Sequence, residues 1–104
     1  MTIKLKGMKH NLEGLHSPEK NVSAQPLFKT IEGKITALHL QKDSVLKEHS
    51  TPIDAILLCV SGVVIYEDEN KGQYKLCSGD FIKIAPGVKH WVNATEDSQL
   101  ILMK

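Results

Sequence analysis

The sequence contains no arginine: all 13 of its basic residues are lysine, set against 12 acidic ones, for a formal net charge of +1. Arginine supplies the bidentate fork used on guanine edges, phosphates and carboxylates. A near-neutral chain without it is a poor nucleic-acid binder, and a nucleic-acid partner is not expected. Long apolar runs are also lacking. The longest, residues 55–60, is strand-length and far short of the roughly 20 residues that span a bilayer. No membrane partner is therefore expected. The opening MTIKLKGMKH carries lysines but no apolar core, so it does not read as a signal peptide, and a cytoplasmic location is expected. Cysteine is scarce: Cys59 and Cys77 have no C-x-x-C spacing, which excludes a zinc knuckle and leaves two reduced, buried thiols as the expectation. The chain of 104 residues is long enough for one small domain.

What is present is a series of strands. Residues 1–26 hold Gly7, Gly14, Pro18 and Pro26 with little periodicity, and HSPEKN from His16 reads as a turn. An irregular N-terminal arm over 1–26 and a β domain over 27–104 are expected, with His10 and His16 at the surface unless the arm folds over the domain. GKITALHLQ alternates, with Ile35, Ala37 and His39 on one face and Thr36, Leu38 and Leu40 on the other. AILLCVSG reads as a strand buried on both faces. VVIYEDENKGQYKL is a hairpin turning at Asn70, Lys71 and Gly72, with Glu67, Asp68 and Glu69 as a solvated tip. GDFIKIAPG, HWVNA and QLILMK complete the set. Turn signals every 8 to 12 residues or so point to an all-β sandwich or barrel.

Two stretches carry specific spacing. The first is HSTPIDA, from His49, with Gly62 seven residues after Ala55. The second is GDFIKIAPGVKH, from Gly79 to His90. Together, over about residues 30–104, they resemble the two signature motifs of the cupin superfamily. The first motif there is His-x-His, then Glu, then Gly; the second is a Gly-Pro-Gly-His-Asn series. His49 falls on the first histidine and Gly62 on the closing glycine, while Thr51 and Ala55 stand where the second histidine and the glutamate would be. In the second motif Gly79, Gly87 and His90 fit, Pro86 is displaced by one, and Ala94 takes the asparagine position beside Asn93. The resemblance implies an all-β cupin double-stranded β-helix, a jelly-roll barrel, small and single-domain, with a degenerate metal-binding motif.

In such a fold, residues two apart on a strand share a face. His49, Thr51 and Ala55 are then expected to point inward, with His90 completing the set from another strand. Imidazoles plus a carboxylate suit Fe, Mn, Ni or Zn. Here only His49 and His90 remain as metal ligands, an incomplete set for the divalent transition metal that the resemblance implies. The expected pocket lining is His49, Thr51, Ala55, Leu57, His90 and Lys47, with Ile53, Ile82 and Ile84 adding apolar wall. Asp54 sits one position off the ligand face, and Trp91, of opposite parity to His90, is expected outside the cavity, under the arm or at a subunit interface.

Three functions compete. One is a barrel that binds a small organic ligand. Another is a metal-dependent enzyme of dioxygenase or isomerase type on His49 and His90. The last is a metal-free isomerase with a histidine base and Asp54 or Tyr66 as acid. A homodimer is expected, symmetric pairs being the commonest oligomer.

Overall fold

The structure is a computed structural model and describes residues 9–104. Nine strands follow a short 3-10 helix at Leu12–Leu15: β1 Val22–Lys29, β2 Lys34–Leu40, β3 Val45–His49, β4 Ala55–Ser61, β5 Val64–Asp68, β6 Gln73–Leu76, β7 Phe81–Ile84, β8 His90–Ala94 and β9 Ser98–Met103. They form two antiparallel sheets, one in the order β1-β2-β9-β4-β7 and the other β3-β8-β5-β6. The first eight residues of the expected arm lie outside the described part. Its other end differs from expectation: β1 begins at Val22 and pairs with β2 through Lys29, so the boundary placed after residue 26 falls inside a strand. Pro26 is tolerated there because β1 is an edge strand.

The alternation read from GKITALHLQ holds, and its even positions fill the barrel. Leu38 and Leu40 join Leu57, Cys59, Val64, Tyr66, Leu76, Ile84, Val92, Leu100 and Leu102 in one core between the sheets. Both cysteines are free. The strand expected to be buried on both faces behaves differently. On β4, Ala55, Leu57 and Cys59 are buried, while Ile56 and Leu58 on the opposite face are only partly so. Sequence periodicity cannot separate a strand covered on two sides from one whose second apolar face is left open.

Two turn glycines close the structure tightly. Gly62 has φ +90, and a Cβ there would run into Ser98 Oγ and the Asp97 carbonyl, so no larger residue fits. Gly87, at φ +78, donates its N–H to the Thr51 carbonyl at 2.7 Å, tying the β7–β8 turn to the β3–β4 connection.

Candidate functional site: the paired histidines of the barrel

His49 and His90 form a register pair between β3 and β8. Their rings meet edge to face with centroids 4.1 Å apart. The strand that carries His49 is irregular. Leu46 pairs with Val92 and His49 with His90, so three steps on β3 span two on β8 and one extra residue bulges out. The bulge ends the period-2 parity that placed Lys47 beside His49. Leu46 packs on the core instead, and Lys47 is exposed. The next link is also broken: Thr51, Pro52, Ile53 and Asp54 form a bend, and Ala55 opens a strand of the other sheet. Thr51, Ala55 and Leu57 are buried, as expected of the inner face. Ile53 is exposed and so leaves the expected wall, to which Ile84 and, partly, Ile82 still belong. Asp54 is exposed as well and lies in the bend, off the inner face.

The histidine rings are held in matching fashion. His49 Nδ1 lies 3.0 Å from the Lys47 carbonyl and His90 Nδ1 lies 3.1 Å from the Val88 carbonyl. A carbonyl only accepts, so Nδ1 carries the hydrogen in both rings and, in the neutral form, Nε2 carries the lone pair. His90 is only 2 % exposed. Burial pushes its pKa below the ordinary histidine value, and the nearby His49 lowers it further against a raising contribution from the Val88 carbonyl.

On its other side His90 stacks on Tyr66, with centroids 5.8 Å apart and planes 25° from parallel. The buried Tyr66 hydroxyl donates to Asp68 Oδ2 at 3.0 Å, and its pKa is pushed well up, first by burial and then by Asp68. Asp68 also accepts from the Gly72 N–H at 2.9 Å and the Asn70 N–H at 3.0 Å. The Gly72 bond above all holds its carboxyl below the usual range.

The acidic run is therefore only partly a solvated tip: Glu69 is exposed, but Glu67 and Asp68 are half-buried and engaged. Asp68 organises the turn at Lys71, which takes φ +70, and Glu67 accepts from Trp91 Nε1 at 2.9 Å and Asn93 Nδ2 at 3.3 Å. Glu69 accepts the Lys89 N–H at 2.8 Å. Trp91 does point away from the barrel interior, but its partner is this glutamate. The signal available in the sequence was parity: Tyr66 and Asp68 are two apart on one strand, and Glu67 faces the other way with Trp91.

A cleft of about 770 Å³ opens between β6 and β7, one edge strand from each sheet, and is lined by Asp68, Tyr74, Leu76, Phe81 and Ile82 among others. Tyr66 stands between it and the histidines, its ring 6.2 Å from Tyr74 and 5.8 Å from His90.

The donor set does not fit the divalent ion that the motif resemblance implies. Ala55 offers a methyl group, and the Thr51 hydroxyl is engaged with the Ile53 carbonyl at 2.8 Å. Two imidazoles bound at right angles to one ion, with metal–nitrogen bonds of about 2.0–2.1 Å, have centroids roughly 4.5 Å apart. His49 and His90 are closer than that. Among the described residues no group of three or more His, Cys, Asp or Glu is arranged to hold a metal ion.

Solved structures, several of them cupins, share this architecture. A cupin superfamily protein from Desulfitobacterium hafniense superposes with a TM-score of 0.81 at 12 % identity, over 89 % of this chain and 84 % of its own. A conserved protein of unknown function from Streptococcus pyogenes gives 0.79 at 23 % identity, over 93 % and 85 %. KdgF from Halomonas sp. gives 0.75 at 21 % identity, over 85 % and 81 %. No protein-family model matches the sequence, and no curated protein matches it significantly. The chain has the cupin fold, a jelly-roll barrel of two antiparallel sheets, as the two motifs implied.

Proposed function

We propose that this cupin-fold protein binds a small, uncharged organic ligand bearing hydrogen-bond donors, at the histidine end of the barrel. The observation that carries this reading is the tautomer of the two rings. With both Nδ1 atoms donating to backbone carbonyls, His49 and His90 each present an acceptor at Nε2. The lowered pKa of His90 keeps that acceptor uncharged at neutral pH. Ala55, Leu57 and Ile84 belong to the apolar core of the same barrel, and ligand sites usually combine such apolar area with a few placed polar groups.

Metal-free isomerase chemistry is the weaker reading. Asp68, the carboxyl next to Tyr66, is held ionised and has no proton to give, and the raised pKa of Tyr66 makes it a reluctant acid. The metal-dependent reading is weakened by the donor set.

The test is a thermal-shift screen of neutral polyols, amides and cyclic alcohols, run beside elemental analysis of untagged protein purified without chelator. Stabilising compounds whose effect is lost in His49→Ala support the reading. Near one metal ion per chain, lost in a His49→Ala, His90→Ala double variant, sinks it.

We also propose a homodimer through the outer face of the five-stranded sheet. Ile56, Leu58, Ile101 and Met103 are partly buried there, and Phe28 and Phe81 at its borders are 60 % and 56 % exposed. Apolar patches of this kind mark interaction surfaces.

A further inference from the structure

Outside the barrel, a second polar group lies on the outer face of the five-stranded sheet. Ser23, His39 and Gln99 form one row across β1, β2 and β9, Ser23 pairing with His39 and His39 with Gln99. Their neighbours Leu38, Leu40 and Leu100 face the core, so this row faces away from it. The arm closes over the row. His16, just past the 3-10 helix, places Nδ1 2.7 Å from Ser23 Oγ and its ring centroid 5.6 Å from that of His39. His16 is thus not a free surface residue, and His39, whose direction the sequence left open, points under the arm.

Three buried side-chain atoms at this seam have no hydrogen-bond partner among the described residues: His16 Nε2, His39 Nδ1 and Gln99 Oε1. Gln99 is 7 % and His39 9 % exposed. Buried polar atoms are nearly always paired, and three unpaired ones on adjoining side chains call for a common occupant. His39 Nε2 lies 3.0 Å from Asp97 Oδ2. A carboxylate accepts, so Nε2 holds the hydrogen and the neutral ring keeps its lone pair on the buried Nδ1. This carboxylate–imidazole arrangement is the one that backs metal-ligating histidines.

We propose that His16 Nε2, His39 Nδ1 and Gln99 Oε1 bind one divalent transition-metal ion of the Zn2+ class, clamping the arm onto the sheet. The two imidazole nitrogens suit such an ion, the Gln99 amide oxygen adds a weaker third donor, and a fourth position stays open to water. The spacing agrees. Imidazoles bound to one ion at tetrahedral or trigonal angles, with bonds of about 2.0–2.1 Å, have centroids roughly 5–5.5 Å apart. The His16–His39 pair, at 5.6 Å, needs only a small adjustment, unlike the crowded pair in the barrel. Asp97 supplies a compensating negative charge.

The test uses the full chain, freed of metal by chelator and dialysed, titrated with Co2+ by visible absorption and with Zn2+ by calorimetry. One ion per chain is expected. His16→Ala and Gln99→Leu should each weaken binding at least tenfold, while His49→Ala leaves it unchanged. Because His39 is buried and its removal risks unfolding, the half-buried His16 is the main variant, with circular dichroism confirming its fold. Absence of binding by the unmodified chain, affinity unaltered in His16→Ala, or loss confined to the His49→Ala variant would each overturn the site.

Discussion

The ring of His90 lies between two other rings, stacked on Tyr66 at 5.8 Å and edge-on to His49 at 4.1 Å. An imidazole in this position is shielded from water, and its cationic form is disfavoured by burial and by the second histidine.

A dependence of stability on pH follows. The folded-state pKa of His90 is lowered, so between that value and the unfolded value of about 6.5 the unfolded chain binds more protons. Stability therefore rises with pH through this window and is fully present above about pH 6.5. His16, lowered by burial and by His39, acts in the same sense. Urea unfolding at pH 8, 6.5 and 5.5 should show a falling midpoint. The drop should shrink in His90→Gln, and an unchanged drop would assign it elsewhere.

Tyr66→Phe removes the hydroxyl that donates to Asp68 and leaves the ring in place. Asp68 keeps its bonds from Gly72 and Asn70, so the loss should be about 1.5–3 kcal/mol, the range for a hydrogen bond to a charged group. Denaturant titration at pH 7 measures it. A neutral result would mean that water replaces the hydroxyl without cost.

Gly62 and Gly79 share almost the same φ, +90 and +91, in different surroundings. At Gly79 a Cβ meets nothing within 4 Å, and Gly79→Ala should cost about 1–2 kcal/mol, from left-handed backbone strain alone. At Gly62 the added carbon collides with the Ser98 hydroxyl and the Asp97 backbone. Gly62→Ala should be several-fold more damaging, visible as a much lower melting temperature or as insoluble protein. Equal effects in the two variants would show that the 62–98 contact relaxes easily.

Leu58 pairs with Ile101 and Phe81 across the centre of the outer apolar face. Leu58→Lys should convert the proposed dimer to monomer, read by light scattering, with the fold retained by circular dichroism. A monomeric mass for the unmodified chain would rule the dimer out.

Much of this protein was legible before folding. The alternation in residues 33–41, the turn glycines at 62, 79 and 87, and the two motif stretches were enough for the strands and the barrel, because these signals depend on neighbouring residues alone. The replacement of ligand types at Thr51 and Ala55 was equally plain, since a hydroxyl and a methyl are properties of composition. Tertiary structure decided which side chains meet. The bulge in β3 sent Lys47 outward, and a one-residue change of parity cannot be seen in a strand read alone. The carboxylate of Asp68 became a shared acceptor because hairpin geometry brought Tyr66, Asn70 and Gly72 to it. His16 and His39 came together only when the arm crossed the sheet, joining residues far apart in the chain, and their ring contact with Gln99 alongside is a consequence of packing.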